Sequence, residues 1–290
     1  MSRNNEDRLT PTTGASQDAA TETPPPTTNT ENEASANSGA SFSFVTPTEF
    51  VELPSKGEFY PEGHPLHGVE TVEIRHMTAK DEDILTSKTL LKKGVALDRM
   101  IKNLMVDKRV DIESLLVGDK NAIIVTARKS GYGSDYSTNV TCPSCGTHQV
   151  ASFDLDETEV TDVRIYETLP SVTRDGNYFD IELPRSMVTV RTRMLTGVDE
   201  ARIARNQRMA KKNGVNTEQT LTGQFRNFIV AVNGDTTFID NMPAADSRFL
   251  RTVYKTITPN IDMNMTFECN TCDYDSVMEV PFTADFFWPK

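Results

Sequence analysis

The sequence is poor in the residues and patterns that mark membrane, secreted and redox proteins. Its 290 residues include four cysteines, four histidines and one tryptophan. No apolar run reaches the roughly 18 residues of a membrane span, and the first residues lack the apolar stretch of a secretory signal. We therefore expect an intracellular protein without a membrane span, in a reducing compartment where disulfides are rare.

Sequence motifs of common enzymes are also missing. The chain has no P-loop, no Gly-x-Gly-x-x-Gly and no Gly-x-Ser-x-Gly, and its histidines are scattered. Acidic residues are plentiful, but nothing in their spacing singles out a catalytic pair. We expect a protein that is not an enzyme and has no small-molecule substrate. An enzyme with an unrecognised carboxylate site is the hypothesis left open.

The charge balance argues against binding to nucleic acids by the whole molecule. The formal net charge is −12, and an acidic chain repels phosphate. A local basic patch is still compatible with this balance.

The composition changes along the chain. Residues 1–45 are rich in Thr, Asn, Ser, Pro, Ala and Glu, and such a segment buries too little apolar surface to offset its ordering entropy. We predict a disordered tail over 1–45, then an extended segment with helices over 46–135. Residues 136–290 are predicted to form knuckle hairpins with an inserted β-hairpin and three helices, packed with 46–135 as one unit.

Periodicity predicts an α+β fold with antiparallel hairpins and inserted helices. Thr78 and Asp81 form a capping-box pattern at the start of the first helix. We find no internal repeat apart from the two knuckle hairpins. The predicted strands are 69–74, 137–141, 148–153, 178–183, 188–195, 261–267 and 277–282, and the predicted helices are 79–85, 96–106, 120–130, 199–213, 217–232 and 244–257.

All four cysteines belong to two Cys-x-x-Cys pairs, each placed between two predicted strands. The pairs are Cys142 with Cys145 and Cys269 with Cys272. Each pair is typical of a zinc knuckle, and two knuckles supply four sulfurs for a tetrahedral ion. We therefore predict one structural zinc site in a split zinc-ribbon-like arrangement, with no open position for catalysis.

Two alternatives stay open for these cysteines. A thioredoxin-like redox pair would be a single Cys-x-x-Cys at the start of a helix. Disulfides would need an oxidising compartment. The long stretch between the pairs is unlike ordinary zinc-ribbon spacing, but complete elements within it can bring its two ends together.

Three further segments are candidates for partner contacts. The proline-containing loop 53–61 is either a binding edge or a structural clasp. The basic helix 199–213 could grip an acidic partner or nucleic acid, or could be a solvated face. The terminal aromatics could anchor a partner or complete the core. The candidate side chains are Leu53, Pro54, Lys56, Tyr60, Arg202, Arg205, Arg208, Phe286, Phe287 and Trp288.

An ordered set of segments resembles a known family. It resembles the baseplate-protein family of T-even-type tailed bacteriophages, which includes the baseplate hub subunit and hub-assembly proteins. The resemblance covers about residues 48–289 and lies in the order of the segments, since no single motif is diagnostic. The segments are 50–61, 75–85, 115–122, 127–133, the two cysteine pairs and 286–289.

The resemblance implies a role in building a contractile tail baseplate. On this basis we expect a non-enzymatic structural or assembly protein of the baseplate hub that docks hub or tail proteins. It would reside in the virion tail, or in the host cytoplasm during assembly. The alternative hypothesis is a zinc-ribbon protein that binds or packages nucleic acid.

Overall fold

The computed structural model describes residues 46–212, 221–233, 237–280 and 284–287, with the side chains of 210–212, 284 and 285 left undescribed. All described residues belong to one compact unit, Val45–Lys290. The predicted tail over 1–45 and the candidate Trp288 lie outside the described residues. The predicted boundary near residue 135 stays a prediction.

The first half of this unit begins with a hairpin and ends with a hairpin, with helices between them. β1 pairs antiparallel with β2, and β3 pairs antiparallel with β4. The elements are β1 Thr48–Glu52, β2 Thr71–Arg75, α1 Ala79–Thr86, α2 Lys88–Lys93, α3 Ala96–Leu104, α4 Val117–Tyr132, β3 Asp135–Thr141 and β4 His148–Asp154.

A connecting region follows, and then the second half. β6 to β9 form a four-stranded antiparallel sheet in sequence order, while β10 pairs with β5 and β11 pairs with β12. The elements are β5 Glu159–Val160, β6 Val172–Asp175, β7 Tyr178–Glu182, β8 Thr189–Arg193, α5 Gly197–Lys212, α6 Leu221–Phe228, β9 Ile229–Val232, α7 Phe238–Asn241, α8 Ala244–Ile257, β10 Ile261–Asp262, β11 Asn264–Glu268 and β12 Asp275–Glu279.

The α+β class with antiparallel hairpins is confirmed, and one predicted element needs correction. Residues 217–220 of the predicted helix 217–232 lie outside the described residues; its described part ends at Phe228, and the chain continues as β9. Residues 229–232 read Ile-Val-Ala-Val, and three of these four are β-branched, which favours a strand. β9 pairs with β8 and so completes the sheet.

The two halves repeat one plan, which the sequence analysis missed. Each half begins with a hairpin whose first strand runs into Glu-Leu-Pro and whose second strand starts with Thr-Val. The register is the same, because Glu52 lies opposite Thr71 and Glu182 lies opposite Thr189. Each half then has helices and closes on a knuckle hairpin. The chain therefore contains an internal repeat over residues 48–154 and 178–279.

An Arg-x-x-Thr-x-x-Asp motif starts the first helix of each half. Arg75 contacts Asp81 at 2.7 Å, and Arg193 contacts Asp199 at 2.6 Å. In each motif the threonine amide donates to the same carboxylate, at 2.9 and 3.1 Å. The predicted capping box at the start of α1 is confirmed. One carboxylate thus accepts a hydrogen bond from a backbone amide that has no partner inside the helix, and it also pairs with the arginine at the end of the strand. The motif therefore fixes the direction of each helix relative to the strand before it.

A buried aspartate holds the loop after each Glu-Leu-Pro. Asp119 accepts from the Ser55 amide at 2.9 Å, and Asp246 accepts from the Arg185 and Ser186 amides at 2.8 and 2.9 Å. Both aspartates are fully buried and occupy the third position of their helices, α4 and α8. Each of these helices precedes a knuckle hairpin in the sequence. The repeated contact therefore joins the first hairpin of each half to the helix that precedes its knuckle hairpin.

The two halves share one hydrophobic core. Phe59 of the first half packs on Phe179 of the second, with ring centroids 5.4 Å apart. Backbone hydrogen bonds also cross between them, from Val117 to the carbonyl of Leu195 at 3.0 Å and from Gly197 to that of Leu115 at 2.9 Å. The halves are therefore joined by apolar packing and backbone contacts as well as by the region where the knuckles meet.

Candidate metal centre

Each cysteine pair sits at the tip of its own hairpin, as the sequence predicted. The Cys142 amide donates to the Thr147 carbonyl at 2.9 Å, and the Cys269 amide donates to the Tyr274 carbonyl at 2.8 Å. These equivalent bonds close both turns around the intervening residues. The first cysteine of each pair is buried, and the second is exposed.

The residue after the second cysteine has the same unusual backbone conformation in both knuckles. Gly146 has φ +72° and Asp273 has φ +51°. Glycine enters this left-handed region freely, and aspartate is among the few other residues that tolerate it. The two turns are thus matched in conformation, although glycine occupies only one of them.

The four sulfurs of the two knuckles form one cluster. All four lie within 4.8 Å of one another. Two of the sulfur–sulfur distances between the knuckles are equal. Cys142 Sγ lies 3.8 Å from Cys272 Sγ, and Cys145 Sγ lies 3.8 Å from Cys269 Sγ. The second distance repeats the first with the two halves exchanged, so the repeat of the fold extends into the cluster.

This spacing fits a metal ion coordinated by four thiolates. Zinc–sulfur bonds of about 2.3 Å in a tetrahedron place neighbouring sulfurs about 3.8 Å apart. A disulfide needs sulfurs about 2.05 Å apart, and the four cysteines are free thiols in this arrangement. The chemistry of the donor set therefore fits a metal ion of the zinc type.

Local hydrogen bonds prepare some of the sulfurs to ionise. Thr147 Oγ1 lies 3.2 Å from Cys145 Sγ, and its hydrogen bond lowers the pKa of the Cys145 thiol to about 6. A backbone amide lowers the pKa of Cys269 in the same way. At Cys272 a backbone amide also lowers the pKa, but the neighbouring sulfurs raise it to about 12. Without a cation, four sulfurs at this distance resist joint ionisation because like charges repel.

Gln149 links the two knuckles independently of the cysteines. Its Nε2 donates to the Glu268 carbonyl at 2.8 Å, and its Oε1 accepts from the Asn270 amide at 3.0 Å. One side chain of the first hairpin thus binds the backbone on both sides of Cys269. The sequence analysis missed this residue, because a glutamine in a strand carries no signal for a contact more than a hundred positions away.

Phe286 and Phe287, two of the three terminal aromatics, lie in the core below the first knuckle hairpin. Phe286 is 2% exposed and Phe287 is 3% exposed. The Phe286 ring packs on Tyr136 of β3, with centroids 4.9 Å apart, and its carbonyl accepts from Arg128 Nε at 2.7 Å. These two phenylalanines therefore complete the core, which is the second of the two interpretations that the sequence left open.

The loop 53–61 is mostly buried as well. Leu53, Pro54 and Tyr60 are buried, and only Lys56 among its candidate contact residues is exposed. The Tyr60 hydroxyl donates to Asp119 Oδ2 at 2.7 Å. The loop thus acts as a clasp on α4, and Lys56 is the one candidate that can reach a partner in this conformation.

The arginines of α5 are exposed. Arg202 pairs with Asp199 at 2.9 Å, and Arg208 donates to the carbonyl of Lys93 in α2. Arg205 has no ion pair within the part of the chain that the structure describes. The contact of Arg208 shows that α5 reaches across to α2 of the first half.

One histidine–serine pair needs examination as a catalytic candidate. His64 Nε2 lies 2.8 Å from Ser114 Oγ, while His64 Nδ1 accepts from the Leu66 amide at 3.1 Å. Nε2 therefore carries the proton and donates to the serine, whose hydroxyl donates to the Asp111 carbonyl at 2.6 Å. A base that activates serine needs the opposite arrangement, so this pair stabilises a loop.

The fold and the cysteine cluster define a class, namely α+β proteins in which two hairpins share a four-cysteine cluster able to hold a metal ion. A family model described as T4 bacteriophage base plate protein matches residues 46–288. The chain therefore belongs to the T4-type phage baseplate protein family. No curated protein and no solved structure is detectably similar to it. Within the described residues, no helix has the length and apolar character of a bilayer span.

Proposed function

We propose that this chain is a non-enzymatic structural or assembly protein of the baseplate hub of a contractile phage tail. It acts by docking other hub or tail proteins. The observation that supports the proposal most is the family match over residues 46–288, which covers both knuckles and everything between them. The assignment to the baseplate hub is more specific than the family match, and it is based on the resemblance of the ordered segments.

In this proposal the metal is zinc and its role is structural. Cys142, Cys145, Cys269 and Cys272 would fill its coordination shell, which leaves no position for a substrate. A bound zinc ion supplies charge compensation for the four thiolates. The chain supplies the two matched turns and the Gln149 link, which hold the sulfurs at the required spacing. The centre thereby fixes the first half of the chain to the second.

The docking surfaces are the exposed members of the candidate set. These are Lys56 on the clasp loop and Arg202, Arg205 and Arg208 on α5. The side chains of the buried candidates are enclosed by the core, so they support the docking surfaces without contacting a partner directly. Trp288 remains a predicted contact outside the described residues.

The first experiment follows baseplate assembly in infected cells. Deleting the gene should stop or sharply reduce the formation of complete baseplates, as measured by gradient sedimentation and electron microscopy. The wild-type chain supplied from a plasmid should restore assembly, and Cys269→Ser should not. Thr271→Ala is the matched control, because Thr271 lies in the same knuckle as Cys269 but supplies no sulfur.

Two results would contradict the proposal. Baseplates of normal composition that form without the chain would remove the assembly role. Tight, salt-dependent binding of duplex DNA by the purified protein would favour the nucleic-acid alternative. Mass spectrometry of finished particles then separates a virion subunit, which is present in them, from an assembly factor, which is absent.

A further inference from the structure

A strongly basic segment lies within this acidic protein. Residues 88–109 carry seven basic and two acidic side chains, a net charge of +5, whereas the whole chain carries −12. The segment spans α2 and α3 and was not singled out from the sequence. The basic residues are Lys88, Lys92, Lys93, Arg99, Lys102, Lys108 and Arg109.

The two carboxylates within this segment already have partners. Asp98 contacts Lys120 of α4 at 2.6 Å, and Asp107 contacts Arg109 at 2.7 Å. Lys108 is used internally, because its Nζ donates to three carbonyls at the end of α3. The remaining five cations have no ion pair within the described residues. None of these five cations is therefore held by a carboxylate of the described residues in a direct ion pair.

α5 adds further cations to the same surface. Arg208 donates to the carbonyl of Lys93, the last residue of α2, and its guanidinium lies against Gly94. Arg205 lies three residues before Arg208 and four before Met209, so it neighbours both on the surface of α5. Arg205 and Met209 are exposed. The C-terminal part of α5 and the end of α2 thus form one continuous surface.

Exposed apolar side chains lie among these cations. Leu91 is 47% exposed, Val95 is 39% exposed and Met209 is 60% exposed. Nucleic-acid surfaces interleave cations with aromatic side chains that stack on bases, and this surface has aliphatic side chains instead. A long polyanion would also meet the acidic remainder of the molecule, whereas a short acidic segment would contact the basic surface alone.

We propose that this surface binds an acidic, amphipathic protein segment, with leucine-type side chains on one face and carboxylates beside them. This inference rests on the proposed docking function and names the chemistry of one partner. We call the surface the cationic face and define it by Lys88, Leu91, Lys92, Val95, Arg205 and Met209. Carboxylates of the partner pair with the cations, and its apolar side chains cover the aliphatic ones.

The test uses the full-length protein and three labelled probes. The first is an acidic peptide with leucines at helical spacing, the second has the same composition with shuffled leucines, and the third is a short DNA duplex. Binding is measured by fluorescence anisotropy at physiological salt. The cationic-face variant is Lys92→Glu with Arg205→Glu, and the control is Arg248→Glu with Lys255→Glu on α8, where both residues are exposed.

We expect the helical peptide to bind more tightly than the shuffled one and the DNA. The cationic-face variant should weaken that binding about tenfold or more, because each reversal replaces an attraction with a repulsion, and the control should change it less than about twofold. A second variant, Leu91→Gln with Met209→Gln, should also weaken it. Thermal melting checks that each variant folds.

Several outcomes would overturn the inference. They are no saturable peptide binding, equal binding of both peptides, tighter binding of DNA, or equal loss in the control variant. Any of these removes the cationic face as a docking site for an acidic segment. None of them affects the assembly experiment above, which measures baseplates with a gene deletion and a cysteine variant, so the two proposals fail separately.

Discussion

Loss of the metal should lower the stability of the folded chain, and the size of the effect follows from the structure. The ion would connect residues far apart in the sequence, since Cys145 and Cys269 are 124 positions apart. A link that closes a loop of this length lowers the unfolded chain's entropy by an amount worth about 5 kcal/mol. For a domain of this size, that corresponds to a melting temperature lower by roughly 10–20 °C.

The assay is thermal unfolding followed by circular dichroism, with metal content determined by mass spectrometry on the same samples. Wild-type protein should carry about one zinc per chain, as a single four-sulfur site requires. It should melt roughly 10–20 °C lower after removal of the metal with a strong chelator. Cys142→Ser should lose most of the metal and melt near the chelated wild type, while Ser144→Ala should behave as wild type.

Wild-type protein that contains no metal and melts at the same temperature with and without chelator would contradict a stabilising metal site. A disulfide between the two cysteines of one knuckle would refute it as well and would revive the redox hypothesis. A large melting shift with a metal other than zinc would keep the clamp and correct only the metal.

Three further predictions concern single side chains. Tyr60→Phe should lower the free energy of unfolding by about 1–3 kcal/mol in urea titrations, because a buried carboxylate, Asp119, loses a hydrogen-bond donor; an unchanged midpoint would contradict the clasp. Gln149→Ala should weaken metal affinity about tenfold or more in competition with a chromophoric chelator, since residues behind the ligands orient them; equal affinity would leave Gln149 no such role. Burial raises the pKa of Asp199, but the hydrogen bonds of Arg193 and its neighbours outweigh that effect and hold the pKa below its usual value. The resulting stability is present above about pH 4 and is lost as the pH falls through the folded pKa, so Asp199→Asn should be less stable than wild type at pH 7 and approach it in acid; a constant difference down to pH 3 would refute this assignment.

The cysteine site was predictable because its signal is local. Residue type and the Cys-x-x-Cys spacing identify each knuckle, and the alternation of neighbouring residues identifies the strands around it. That the two knuckles meet could be argued from the donor count alone, since each supplies only half of a tetrahedron. α8 was also predicted with its observed bounds, because an apolar face at helical spacing is followed directly by Pro259.

The internal repeat was not recognised, because unequal insertions hide it. The first hairpin has a long clasp loop between Leu53 and Thr71, whereas the equivalent stretch of the second runs only from Leu183 to Thr189. Few identical residues remain, and most of them are caps and turn residues. Their importance becomes visible only when their hydrogen bonds are compared between the two halves.

The burial of the candidate contact residues was equally hard to foresee. A proline-rich loop and a cluster of aromatics are as common at interfaces as in cores, so the residue types did not decide. The structure places Tyr60 over a buried carboxylate and Phe286 against Tyr136. Both contacts join segments distant in sequence, and periodicity carries no information about such pairs.

The division of the metal centre between two distant knuckles has a consequence for synthesis on the ribosome. At about 5–20 residues per second, the second knuckle emerges roughly 6–25 s after the first. During that interval the chain offers a metal ion only two sulfurs, Cys142 and Cys145, and the other two positions can be taken by another nascent chain on the same message. Closure of the metal site within one chain thus competes with a link between two chains. Faster elongation of the second half would favour closure within one chain, because it shortens this interval.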